Sequence, residues 1–127
     1  MKANELMIND KVFVKVLSQI PDTYVIHTWT AKDYLKDRLQ IKPIPLTTEI
    51  LEKNGFKFER DCVLGLHDEY CVVKAIWLEE GNMYVYINFI DKSDFSQSIN
   101  KHINYVHELQ HALRLCGLNE LANNFKV

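Results

Sequence analysis

Two strand-like segments joined by a short turn constrain the fold of this 127-residue chain most. The segments run from Cys71 to Leu78 and from Met83 to Ile90, and the turn between them reads Glu-Glu-Gly-Asn. Both are rich in β-branched and aromatic residues, which favours an antiparallel hairpin. Apolar residues occupy both alternating sets of positions, so both faces of the resulting sheet should be apolar. Such a sheet must be covered on two sides by other elements or by a second subunit.

The remaining patterns predict an α+β fold with a mainly antiparallel sheet. The turn signal Asn9-Asp10 precedes a strand pair over about 11–30, and further strands are expected over about 56–90. Between them, a short middle helix is predicted over about 47–54. Thr47 is its expected N-cap and Gly55 its expected C-terminal stop. The length suits one domain over 1–127.

The C-terminal part of the chain carries an apolar stripe of helical periodicity. Its members recur at steps of three and four: Ile99, Ile103, Val106, Leu109, Leu113 and Cys116. This spacing predicts a long amphipathic helix over about 100–116. On that helix His107 and His111 lie on the side opposite the stripe. We therefore expect both histidines to be exposed, and their joint replacement by Gln to change stability by no more than about 0.5 kcal/mol.

The segment His107–His111, which reads HELQH, matches the HExxH signature of zinc peptidases. In that chemistry His107 and His111 bind the metal, and Glu108 is the general base. The third ligand of the longer signatures is missing, although an upstream ligand such as His27 or His67 stays open. The preferred interpretation is a solvated polar face with no catalytic residue and no cofactor, and the alternative is a zinc-dependent hydrolase.

Charge and composition restrict the partners. The net charge is −2, with 25% charged and 47% hydrophobic residues. This balance is that of a folded globular protein and gives no general affinity for phosphate backbones or acidic membranes. A nucleic-acid partner is therefore not expected. The start of the chain has no apolar signal region, and no apolar run approaches the length of a membrane span. These features predict a cytoplasmic protein.

Three segments resemble an uncharacterised family of small proteins from gut anaerobes and their prophages or other mobile elements. They read KANELMIND-KVFV over 2–14, KPIPLTTEILEKNGF over 42–56 and INYVHELQHALRLCG over 103–117. The chain departs from the usual IGDWV-like opening of that family, and similar proteins can read HQLQN in place of HELQH. The resemblance implies no activity, cofactor or site residue. It implies a phage-related cytoplasmic accessory or interaction protein, whose partner we expect to be an unknown protein or a second copy of this chain.

Overall fold

The computed structural model describes residues 1–2, 5–16, 23–35, 40–67, 71–79, 82–89 and 98–127. These residues form two compact units. The first unit contains residues 1–45, 105–125 and 127, and the second contains 46–104 and 126. Both sheets are antiparallel, and helices accompany them, so the expected α+β class is confirmed. The expected single domain over 1–127 stays a prediction.

The first unit contains a three-stranded sheet. Its strands are β1 (Lys11–Val16), β2 (Thr23–Thr28) and β3 (Ile41–Pro43), in the spatial order β2-β1-β3. Both neighbours run antiparallel to β1, with Val14 opposite Val25 and Ile41. A 3-10 helix, Ala31–Leu35, follows β2. The strand pair predicted over about 11–30 is thereby confirmed.

A turn and a small apolar core fix the start of this sheet. Asn9 adopts a φ of 74°, in the left-handed region that asparagine tolerates better than most residues. The alternation of β1 turns Val12 towards a buried cluster with Leu6, Trp29 and Ile41, against which Val14 packs. The predicted turn signal thus marks the entrance to β1.

The second unit is an antiparallel meander of five strands. They are β4 (Lys57–Arg60), β5 (Val63–His67), β6 (Cys71–Glu79), β7 (Asn82–Phe89) and β8 (Ser98–His102), in that spatial order. The hairpin of β6 and β7 appears where the sequence predicts it, although residues 80–81 of its turn lie outside the described residues. Along β7, Met83, Val85 and Ile87 are buried and the residues between them are half-buried. Strand alternation therefore accounts for the pattern of burial along β7.

The short middle helix, α1 (Thr48–Lys53), also forms as predicted. The Thr47 hydroxyl accepts a hydrogen bond from the Ile50 amide at 3.2 Å, which satisfies one of the free N–H groups of the first turn. Gly55 follows the helix with a φ of 91°, a conformation that costs glycine little. Leu51 is fully buried, so packing stabilises a helix too short to persist alone.

The prediction of a long C-terminal helix over about 100–116 is wrong. Residues Ser98–His102 form β8, and the helical part is divided into α2 (Val106–Leu115) and α3 (Asn119–Asn123). Strand β8 pairs with β7, with Ile99 opposite Ile87, and so supplies partners for the backbone groups along that side of β7. Ile99 and Ile103 are four residues apart, which fits a helix face and a strand face equally well. Periodicity therefore could not separate the two structures.

The boundaries of α2 follow from local hydrogen bonding. Tyr105 is extended, with φ −127° and ψ 151°, and its amide donates to the Glu108 carboxylate at 3.2 Å. At the other end Gly117 has a φ of 81°. Its amide donates to the Arg114 carbonyl, and the Leu118 amide donates to the Leu113 carbonyl. This pair of bonds is a Schellman motif, which ends the helix close to the predicted residue.

Candidate functional site: the HELQH helix and the buried Asp10 carboxylate

Helix α2 buries more of its surface than the apolar stripe predicts. Val106, Leu109 and Leu113 are buried, as expected. His107 is only 7% exposed, so the prediction that it faces solvent is wrong, and the His111 side chain is 22% exposed. The reason lies in the first unit, where α2 contacts both β1 and α3. An apolar stripe identifies one buried side of a helix. It does not reveal the polar side chains that neighbouring elements bury on another side.

Gln110 joins three segments of the first unit and has no exposed surface. Its side-chain carbonyl accepts from the Lys11 amide at 2.8 Å. Its NH2 group donates to the carbonyl oxygens of Asn9 and Ala122, both at 2.9 Å. A buried amide must find such partners, and here they come from the turn before β1 and from α3. Sequence reasoning missed Gln110, because its partners lie 12, 99 and 101 residues away.

Asp10 is the buried charge of this region, with no exposed surface. One carboxylate oxygen accepts from the Met7 amide at 2.8 Å and lies 2.5 Å from Nε2 of His111. The other accepts from Nη1 of Arg114 at 2.5 Å. Burial by itself would raise the pKa of the Asp10 carboxyl. The hydrogen bonds from His111, Met7 and Arg114 outweigh that effect and hold its pKa below the ordinary value.

His107 lies between two aromatic rings. It stacks on Tyr105, with centroids 6.0 Å apart and planes at 13°, and meets the His111 ring edge-on at 5.6 Å. Its Nδ1 atom is buried and has no hydrogen-bond partner among the described residues. Burial lowers the pKa of His107 because it removes water from the imidazolium, and the neighbouring His111 lowers it further. The neutral ring is therefore favoured.

Glu108, the general base in the zinc-hydrolase hypothesis, lies at the start of α2. Its Oε1 atom accepts from the Tyr105 amide, as the third helical residue does in a capping box. An acidic residue in the first turn also lies near the positive end of the helix dipole. This local role explains an acidic residue at position 108 without any catalytic chemistry.

The upstream histidines that stayed open as third ligands each bond a carboxylate. In the first unit, Nε2 of His27 lies 2.8 Å from Oδ2 of Asp33, a buried residue that also accepts from Thr30. In the second unit, Nε2 of His67 lies 2.5 Å from Oε1 of Glu59. Across the described residues no group of three His, Cys, Asp or Glu side chains could hold a metal ion. His27 and His67 thus each have a carboxylate partner within their own unit.

Comparisons of the chain with protein-family models, with curated proteins and with solved structures each gave no match. No helix within the described residues is long and apolar enough to cross a membrane. The contacts of the HELQH side chains are therefore the observations that bear most directly on function.

Proposed function

We propose that the protein is a non-enzymatic accessory or interaction protein of phage-related origin that works in the cytoplasm. The observation that carries this proposal is the use of the HELQH side chains within the first unit. Gln110 bonds three backbone groups, His111 bonds Asp10, and Glu108 bonds the Tyr105 amide at the start of its own helix. Because these polar atoms form hydrogen bonds within the first unit, the HELQH segment can be explained without a catalytic role. The resemblance of three chain segments supports the cytoplasmic and phage-related setting.

The alternative is a zinc-dependent hydrolase in which His107 and His111 bind the metal and Glu108 activates a water molecule. The unpartnered, buried Nδ1 of His107 is the observation in its favour, since a neutral imidazole is a good zinc ligand. Against it, Nε2 of His111 is engaged by the Asp10 carboxylate. A HExxH site directs both imidazoles to one metal and leaves the glutamate free to bind water. The alternative would require these contacts to break.

Elemental analysis of protein purified without a histidine tag tests the choice. We expect no stoichiometric zinc and no peptidase activity, and we expect a chelator to leave the free energy of unfolding unchanged. Zinc content is also measured in His107→Ala, and peptidase activity is also measured in Glu108→Gln. Stoichiometric zinc that disappears in His107→Ala, together with hydrolysis that disappears in Glu108→Gln, would replace the proposal by the hydrolase. Loss of stability on chelation would point the same way, since metal binding adds to folding free energy.

A further inference from the structure

Strand β2 is an outer strand of the three-stranded sheet, and within the described residues it pairs with β1 alone. The Trp29 amide, which follows the strand, donates to the Asp10 carbonyl, and the Trp29 carbonyl accepts from the Asn9 amide. Both backbone groups of Trp29 thus point towards the β1 side. Because this direction alternates along an antiparallel strand, the N–H and C=O groups of Tyr24, Ile26 and Thr28 point away from β1.

The sequence of β2 carries none of the features that normally protect an outer strand. It reads TYVIHT, with no lysine, arginine, acid or proline. In the second unit, the outer strand β4 reads KFER and three of its four residues are charged. Strand β3, the other outer strand of the first unit, is three residues long and ends in Pro43. Charges, prolines and short length are the usual means of preventing outer strands from pairing with other chains.

Exposure at the centre of β2 agrees with an unprotected edge. Val25 is 47% exposed and Ile26 is 52% exposed, although neighbouring residues of a strand face opposite sides of the sheet. Tyr24 lies on the same side as Ile26, and the Lys42 ammonium lies 4.1 Å from the centre of its ring. The strand therefore offers apolar side chains on both sides of a line of backbone donors and acceptors.

We propose that β2 pairs antiparallel with β2 of a second copy of this chain, about a two-fold axis at Ile26. The inference names the surface for self-association in the proposed interaction role, and so it rests on that proposal. Residues opposite each other in an antiparallel pair share a face of the sheet. A two-fold axis normal to the sheet keeps every residue on its own face. A strand can therefore pair with its own copy only when one residue lies opposite itself.

The axis at Ile26 is the choice that uses all three outward-facing residues. It places Ile26 opposite Ile26 and Tyr24 opposite Thr28, and each such pair exchanges two hydrogen bonds, about six in total. A centre at Val25 would instead pair Thr28 with residue 22, beyond the end of the strand. On the other face the Ile26 axis sets Val25 opposite His27. Cross-strand contacts between β-branched and aromatic side chains stabilise such pairs.

Light scattering across a range of protein concentrations tests the inference. We expect the wild-type mass to approach that of two copies at micromolar concentration. Ile26→Lys should shift it to that of one copy, because two ammonium groups would face each other across the axis. Phe58→Lys is the matched control, since Phe58 is 58% exposed on the outer strand β4, and it should keep the wild-type mass. A wild-type protein that stays monomeric, or an Ile26→Lys variant that stays dimeric, would overturn the inference.

Mixing two variants tests the register, and recovery of the two-copy mass also requires that both variants are folded. Ile26→Lys and Ile26→Glu should each be monomeric alone, and an equimolar mixture should recover the two-copy mass through a Lys–Glu pair at the axis. Recovery supports pairing at Ile26, and its absence contradicts that register. Failure here leaves the zinc assay untouched. A monomeric protein without zinc refutes only this inference, whereas stoichiometric zinc and hydrolysis refute the proposed function.

Discussion

The β6–β7 hairpin of the second unit and helix α2 of the first unit reach burial by different routes. Along β7, buried residues alternate with half-buried ones, and the buried set is apolar. Along α2, His107 and Gln110 are buried beside Leu109 and Leu113. The hairpin can be predicted from its own sequence, and strand geometry places its neighbouring side chains on opposite faces. The helix cannot, because its buried Gln110 depends on partners from other segments.

The largest effect should come from removing the buried charge. Asp10→Ala leaves the mostly buried Arg114 guanidinium and the His111 ring without their common acceptor. Breaking a buried ion pair on one side typically costs about 3–5 kcal/mol. Urea denaturation measures the loss. Asp61→Ala, at an exposed position between β4 and β5, is the control and should change stability by no more than about 0.5 kcal/mol. Equal losses in both variants would show that the Asp10 contacts contribute nothing specific.

Truncation of the apolar side of α2 should come next. Leu109→Ala should lower the free energy of unfolding by about 2–5 kcal/mol, as for other fully buried leucines. Leu115→Ala offers the same chemical change on the same helix at a side chain that is 81% exposed, and it should cost no more than about 0.5 kcal/mol. Chemical denaturation of both variants gives the difference directly. Similar values for the two leucines would contradict the orientation of α2.

Gln110 distinguishes polar from apolar burial. Gln110→Ala leaves the Lys11 amide and the carbonyls of Asn9 and Ala122 without their side-chain partner, so we expect a loss of about 1–3 kcal/mol. Gln110→Glu keeps the size and the acceptor but removes both donors, and it should also destabilise the protein. Denaturation midpoints of the two variants report this. A Gln110→Glu protein as stable as the wild type would mean that the two donated bonds contribute little.

The smallest effect is a pH dependence from His107. Its pKa in the folded state lies below the ordinary value of 6.5, so the unfolded chain binds the proton more readily. The stability that comes from the neutral ring is therefore present above pH 6.5 and is lost as the pH falls below it. The titratable groups that act electrostatically on the ring are His111, Glu108, Asp10 and Glu5.

Denaturation at a series of pH values, repeated on His107→Phe, checks this sign. The variant keeps an aromatic ring against Tyr105 and should lose stability less steeply just below pH 6.5. At lower pH both proteins should lose stability, because the pKa of Asp10 is also held below its ordinary value of 3.8. A variant that follows the wild-type curve throughout would contradict the assignment to His107.

The burial of His107 and the bond of His111 to Asp10 also change one expectation from the sequence. Joint replacement of both histidines by Gln was expected to leave stability unchanged on the premise that both are exposed. With a buried ring stacked on Tyr105 and a charge-assisted bond to Asp10, the double variant should instead be clearly destabilised. If the double variant is destabilised while a chelator leaves the stability of the wild type unchanged, the two histidines have a structural role and do not hold a metal.

Local signals in the sequence determined much of the fold. Turn signals and runs of β-branched and aromatic residues predicted the β6–β7 hairpin and the β1–β2 pair, and Thr47 and Gly55 marked both ends of α1. Such features depend on residues a few positions apart, whose backbone preferences and capping bonds form within one segment. The apolar side of α2 was predictable for the same reason.

Only the tertiary structure decided the secondary structure of residues 98–102 and the environment of the HELQH side chains. A strand forms at 98–102 because β7 offers it backbone partners, although the spacing of Ile99 and Ile103 fits a helix equally well. Gln110 and His111 bond Asn9 and Asp10, 101 residues away along the chain, so no window around the motif contains those partners. A polar side chain is buried when folding brings it a hydrogen-bond partner, and that partner is a property of the fold rather than of the local sequence.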